Sequence, residues 1–79
     1  MKKLTLEQKE YIQMALEMVM NLNNDGKQVW LEFVPHVSKV EVKYFSNKDD
    51  IVIKEFAFEE LFRICNYIFS IKDSIYNRY

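Results

Sequence analysis

The chain of 79 residues contains one cysteine, one histidine, one glycine and one proline. Each scarcity closes off a class of protein. A lone Cys65 cannot form an intramolecular disulfide, and Cys65 with His36 falls short of the four ligands of a Cys/His structural zinc site. A phosphate-cradling loop needs several glycines for close backbone approach, and Gly26 is alone. The longest unbroken apolar runs are a few residues, whereas a membrane-spanning helix needs about 20. Lys2 and Lys3 imitate the basic start of a signal peptide, but Glu7, Lys9 and Glu10 interrupt the apolar stretch that should follow. A basic excess is also missing. Eleven Lys and Arg against 12 Asp and Glu give a formal net charge of −1. General nucleic-acid binders draw most of their affinity from neutralising phosphates, so this balance disfavours that class. These absences lead us to expect a cytoplasmic protein with a reduced thiol and no cofactor. The bias toward Lys, Asn and Ile hints at an AT-rich genome, bacterial or phage.

What the chain does have is apolar bulk, with 49% hydrophobic and 15% aromatic residues. We expect a single domain over residues 1–79. A chain this short buries only about 60% of its unfolded surface, and small proteins often add a disulfide, a metal or a partner chain. With the first two closed off, dense packing and oligomerisation remain.

Thr5-Leu6-Glu7-Gln8 fits a capping box, with Thr5 as N-cap and Gln8 three residues on. Tyr11, Ile12, Ala15, Leu16, Val19 and Leu22 then share one helical face, predicting a helix from about Thr5 to Leu22. Asn23-Asn24-Asp25-Gly26 ends it. The period next changes to two. Val29, Leu31 and Phe33 define one strand, and Val40, Val42 and Tyr44 a second. With Pro35-His36 as a two-residue turn, Leu31 faces Val40, Val29 faces Val42, and Glu32 meets Lys39 on the other side. Ser46-Asn47-Lys48-Asp49 is the next turn, leading into a third strand from Asp50 to about Phe56. Pairing Phe45 with Asp50 sets Tyr44 against Ile51, Val42 against Ile53 and Glu41 beside Lys54. From Ala57 a helical period runs to the C-terminus, with Phe58, Phe62, Cys65 and Phe69 in one stripe, widened by Leu61, Ile64, Ile68, Ile71 and Ile75. The expected fold class is therefore α+β: a two-layer α-β-β-β-α arrangement, with both helices on one face of a three-stranded antiparallel meander.

No catalytic constellation emerges, and we expect no enzyme and no small-molecule substrate. A nucleophile–base pair would need His36, which sits in a predicted hairpin turn. Cys65 lies in an apolar stripe, where a reactive thiol would lack exposure and positive charge. Asp49 and Asp50 read as turn residues, and Glu59 and Glu60 as helix-start residues placed well for the helix dipole.

Two surfaces remain. The outer sheet face, in the register above, carries Gln28, Trp30, Glu32, Lys39, Glu41, Lys43, Phe45, Val52, Lys54 and Phe56. Trp30 stands out there, since tryptophan is enriched at interface hot spots. The second surface is the helical surplus. A helix on one surface needs an apolar stripe of about 100°, but the second helix spans roughly 220° on a helical wheel. A helix of about 22 residues would be ~33 Å long, against ~23 Å for a seven-residue strand. Ile71, Ile75, Tyr76 and Tyr79 should therefore overhang the sheet as an apolar contact site.

The stretch Val34-Pro35-His36-Val37, followed by Ser38-Lys39-Val40-Glu41-Val42, resembles the loop between the first two strands of double-stranded-RNA-binding domains. Those domains share the α-β-β-β-α order. The resemblance covers about ten residues. It implies a lysine cluster at the start of the last helix to hold phosphates, and this chain has Phe58-Glu59-Glu60 there. The leading expectation is thus a non-catalytic protein-binding module, an inhibitor, adaptor or immunity-type protein. Its partner is another protein or a second copy in a homodimer, and its contacts are Ile71, Ile75, Tyr76, Tyr79 and Trp30. The alternative is nucleic-acid binding on the outer sheet face through Lys39, Lys43 and Lys54 with Trp30.

Overall fold

The computed structural model describes residues 3–78. Tyr79 lies outside the described residues. The expected architecture is the observed one: α1 (Leu6–Asn24), β1 (Val29–Val34), β2 (Lys39–Phe45), β3 (Ile51–Ala57) and α2 (Ile64–Ile71). The strands form one antiparallel sheet in the order β1-β2-β3. Ala15 and Val19 of α1, Ile64, Ile68 and Ile71 of α2, and Val29, Val40, Val42, Tyr44 and Phe56 of the sheet belong to one buried cluster, so both helices cover the same sheet face. Among the described residues no helix is long and apolar enough to cross a membrane.

Local chemistry sets the ends of α1. The Gln8 N–H donates to Thr5 Oγ1 at 3.1 Å, and the Thr5 N–H donates to Gln8 Oε1 at 2.9 Å, closing the capping box. At the other end Gly26 N–H donates to Asn23 O and Lys27 N–H to Leu22 O, a paired C-terminal cap. That cap needs a left-handed residue, and buried Gly26 supplies it at φ 91°.

The β1–β2 register differs from the expected one by two residues. Val34 pairs with Lys39, Leu31 with Val42 and Trp30 with Lys43. Pro35–Val37 form a 3-10 turn, and Ser38 completes the connection in the left-handed region at φ 53°. The loop is therefore four residues long, not two. A shift of two keeps every side chain on its face and changes only its partners.

The β2–β3 register is off by one, and this turns the whole strand over. Phe45 pairs with Ile51, Tyr44 with Val52 and Val40 with Phe56. The Asn47 side chain accepts from the N–H groups of both Asp49 and Asp50, adding one residue to the turn. Each face of β3 offers two large apolar residues and one charge, so alternation alone could not choose between them. Phe56 decides it. It is buried at the end of the strand, edge-on to Tyr67 with ring centroids 5.5 Å apart. Val52 and Lys54 turn inward with it, and Ile51, Ile53 and Glu55 turn outward.

The C-terminal segment also departs from one continuous helix. Phe58–Arg63 is 3-10, Ile64–Ile71 is α, Lys72–Ser74 is 3-10 again, and Ile75 is extended. Three residues per turn stack Phe58, Leu61 and Ile64 above one another, and all three are buried. The α-helix continues the line through Ile68 and Ile71, and Ile75, past the second 3-10 turn, is buried as well. Phe62 and Phe69, expected in the core stripe, are exposed instead.

The extended tail closes the end of the sheet. The Tyr76 N–H donates to Phe45 O at 2.6 Å, and Tyr76 O accepts from the Gln28 N–H at 3.2 Å. The Tyr76 peptide thus takes the place of one direct rung between β1 and β2. Arg78 N–H reaches Gly26 O, and Lys27 bridges Asn77.

Two outcomes follow for stability. Phe56→Ala should cost about 3–5 kcal/mol, as for other buried phenylalanines, whereas Ile53→Thr should stay within about 0.5 kcal/mol. Urea unfolding of both variants checks this, and the reverse order would mean that β3 presents its other face to the core. The Tyr67 hydroxyl is pushed up to about 12, by burial first and then by the neighbouring Tyr44. The unfolded chain then loses this proton before the folded one does, so its contribution is intact below pH 10 and declines as pH rises from 10 toward 12. Tyr67→Phe should flatten that alkaline decline in thermal melts.

Candidate functional site

Turning β3 over reshapes the outer sheet face. Its central row is Glu32, Glu41 and Glu55, directly opposite one another across the three strands. Like charges so placed repel, and two lysines of β2 offset them. Lys39 Nζ lies 2.6 Å from Glu55 and 3.4 Å from Glu41. Lys43 Nζ lies 3.2 Å from Glu32 and 3.6 Å from Glu41. The hydrogen bond to Glu55, outweighing partial desolvation, raises the Lys39 pKa.

Beside this charged lattice the same face is apolar. Trp30, Lys43 and Ile53 form the next row, and Phe45 and Ile51 the row after. Trp30 packs on Phe45 with centroids 5.8 Å apart, leaving 37% of the tryptophan, 47% of Ile51 and 52% of Ile53 exposed. The backbone of Phe45 is the one held by Tyr76, so the tail steadies the rim of this patch. Sequence reasoning found Trp30 and missed Ile51 and Ile53, because it placed both in the core.

The other expected contact residues are elsewhere. Ile71 and Ile75 are buried, since the chain leaves the helix after Ile71 and folds back onto the sheet end instead of overhanging it. Tyr76 is half-buried and committed through its backbone to the tail clamp. Lys39, Lys43 and Lys54 do not share a face. The first two belong to the outer lattice, while Lys54 lies on the inner side of β3, its Nζ 5.8 Å from the Phe56 ring centroid.

The helical surplus is real but lies on the helices' outer sides. Met14, Leu16, Met20, Phe62 and Phe69 are all exposed. Lys72 and Arg63 lay their cationic heads over Phe69 and Phe62, at 4.3 and 5.4 Å. A depression of about 180 Å³ lies between the helix ends, lined in part by Met18, Ile68 and Phe69. One of about 250 Å³ lies beside β1, lined by Leu4, Lys9, Ile12, Gln13 and Phe33. Both are smaller than the ~300 Å³ at which small-molecule pockets begin.

The residues with chemical potential are dispersed. His36 is exposed on the 3-10 connection, and Asp49 and Asp50 are tied into the Asn47 turn. Among the described residues no group of three His, Cys, Asp or Glu side chains is placed to hold a metal ion. Cys65 is half-buried, its Sγ 3.9 Å from Tyr11 O, and burial pushes its thiol pKa up. Compared with protein-family models, curated proteins and solved structures, the chain finds no match.

The state of Cys65 can be measured directly. At pH 8 we expect iodoacetamide to alkylate the native chain at least about tenfold more slowly than the urea-unfolded chain, because the thiolate is the reactive form. Equal rates would show a thiol open to chemistry.

Proposed function

We propose that this chain is a non-catalytic protein-binding module that works through the apolar half of its outer sheet face. One observation carries the reading: Trp30, Phe45, Ile51 and Ile53 lie together on a sheet face that neither helix covers. Exposed contiguous apolar surface marks interaction sites. A tryptophan packed on Phe45 at the β1 side of this patch, with charges beside it, has the anatomy of an interface with an anchor and a polar border. The lattice of Glu32, Glu41, Glu55, Lys39 and Lys43 would supply that border and favour partners of matching charge pattern. Roles as inhibitor, adaptor or immunity-type protein all fit such a surface.

Nucleic acid is the weaker occupant. Lys39 and Lys43 already face carboxylates, and Lys54 is on the other side of the sheet. A strand laid over Trp30 would meet three glutamates.

Trp30 is the only tryptophan of the chain, so its emission reports on this face. A protein retained from native lysate by the immobilised chain should be lost with Trp30→Ala and Ile53→Asp and kept with the control Phe69→Ser on the helical side. Titrating that protein should shift Trp30 emission to the blue. Retention that ignores Trp30 and Ile53 would disprove the face reading. Salt-sensitive binding of single-stranded oligonucleotides that Trp30→Ala abolishes would replace it with the nucleic-acid one.

A further inference from the structure

The two edges of the sheet are finished differently. At β1, Asn23 Nδ2 donates to Val29 O, α1 lies alongside, and the tail bridges Lys27. At β3 no further strand pairs with the edge among the described residues, and Ile51, Ile53, Lys54 and Glu55 are all exposed. The hydrogen-bond phase of this edge follows from its ends. Ser46 N–H donates to Asp50 O, and Phe58 N–H to Ser38 O, so even-numbered residues of β3 bond to β2. The N–H and C=O groups of Ile51, Ile53 and Glu55 therefore point away from the molecule. Such an edge is a template for another strand.

Lys54 selects the partner. It is a charge on the inner side of an edge strand, a device that penalises unwanted pairing. A second copy of β3, antiparallel across a two-fold axis, can pair in a few registers that keep each face on its side. An axis through Lys54 sets lysine against lysine. An axis through Ile53 sets Lys54 against Val52. An axis through Val52 sets Lys54 against Asp50 of the second copy, Val52 against Val52, Ile51 against Ile53 and, at the outer ends of the seam, Glu55 against Asp49. Of these registers, only the last neutralises both Lys54 residues while matching apolar to apolar. In it, Ile51 and Ile53 of opposite copies exchange both backbone hydrogen bonds, because they are the residues whose polar groups face outward.

We propose that two copies of this chain pair through β3 about an axis at Val52, making one six-stranded sheet. This deepens the protein-binding reading by naming a second copy as a partner. The isologous geometry is that of most homodimers. It also joins the two outer apolar patches, since Ile51 and Ile53 of each copy meet at the seam. A single strand pair buries less than the ~800 Å² per partner of a standard interface, so the dimer should depend on concentration.

Sedimentation equilibrium across a concentration series tests this. The wild-type chain should pass from monomer to dimer. Asp50→Lys and Lys54→Asp should each raise Kd about tenfold or more by placing like charges opposite each other, and the double variant D50K/K54D should restore dimerisation. Ile53→Pro should stay folded by circular dichroism, because its N–H takes no part in the β2 ladder, and should be monomeric. Trp30→Ala should leave the dimer intact. A wild-type monomer at every concentration up to about 1 mM, where any Kd would be too weak to matter, would overturn the pairing. So would a double variant that fails to recover, or a dimer lost with Trp30→Ala but not with the edge variants. A monomer that still loses its captured partner with Trp30→Ala would sink the pairing alone. A dimer whose Trp30→Ala form keeps every captured protein would sink the face reading alone.

Discussion

Phe56 lies edge-on to Tyr67, and the surface of this molecule depends on that contact. With Phe56 in the core, the strict alternation of a strand carries Val52 and Lys54 inward and pushes Ile51, Ile53 and Glu55 out. The cost is two exposed isoleucines. The consequence is an outer face with a charged half and an apolar half. Had β3 kept the opposite face inward, the outer face would carry Lys54 next to Lys39 and Lys43. The molecule would then present Lys39, Lys43 and Lys54 around Glu32 and Glu41, with Val52 and Phe56 outward in place of Ile51, Ile53 and Glu55.

The same economy governs the C-terminal segment. Its sequence holds more apolar residues than one helical face can bury, and the backbone responds by changing pitch. A 3-10 start aligns Phe58, Leu61 and Ile64, and the α-helix continues with Ile68 and Ile71. Phe62 and Phe69 fall outside that line and stay exposed, each with a cation over its ring. Breaking the helix after Ile71 lets Ile75 enter the core and brings the Tyr76 peptide between Gln28 and Phe45. The tail thus couples the last helix to the two strands that hold Trp30 and Phe45.

Much of the fold was legible because its signals are local. The capping box at Thr5 and Gln8, the glycine cap at Gly26 and the change of period from 3.6 to 2 each involve residues a few positions apart. The candidate site was legible only at Trp30, whose face survives a two-residue change of register. Ile51 and Ile53 were read as core because a four-residue turn fits Ser46–Asp49 as well as a five-residue turn fits Ser46–Asp50. Asn47 adds the extra residue by accepting two backbone N–H groups, and no periodicity records that choice. Ile71 and Ile75 fit an overhanging helix in the sequence because the apolar period runs on past the point where the chain turns back.

By itself the sequence determined the order of elements, the capped ends of α1 and the lack of a cysteine, histidine and glycine set for common chemistries. These rest on composition and on interactions within one turn or one strand. Only the tertiary structure decided which residues are left for function. A one-residue change in loop length inverts a strand, and a broken helix end converts a supposed contact site into core. Both outcomes are settled by which large side chains fill the space between sheet and helices, and that competition involves residues far apart in the chain.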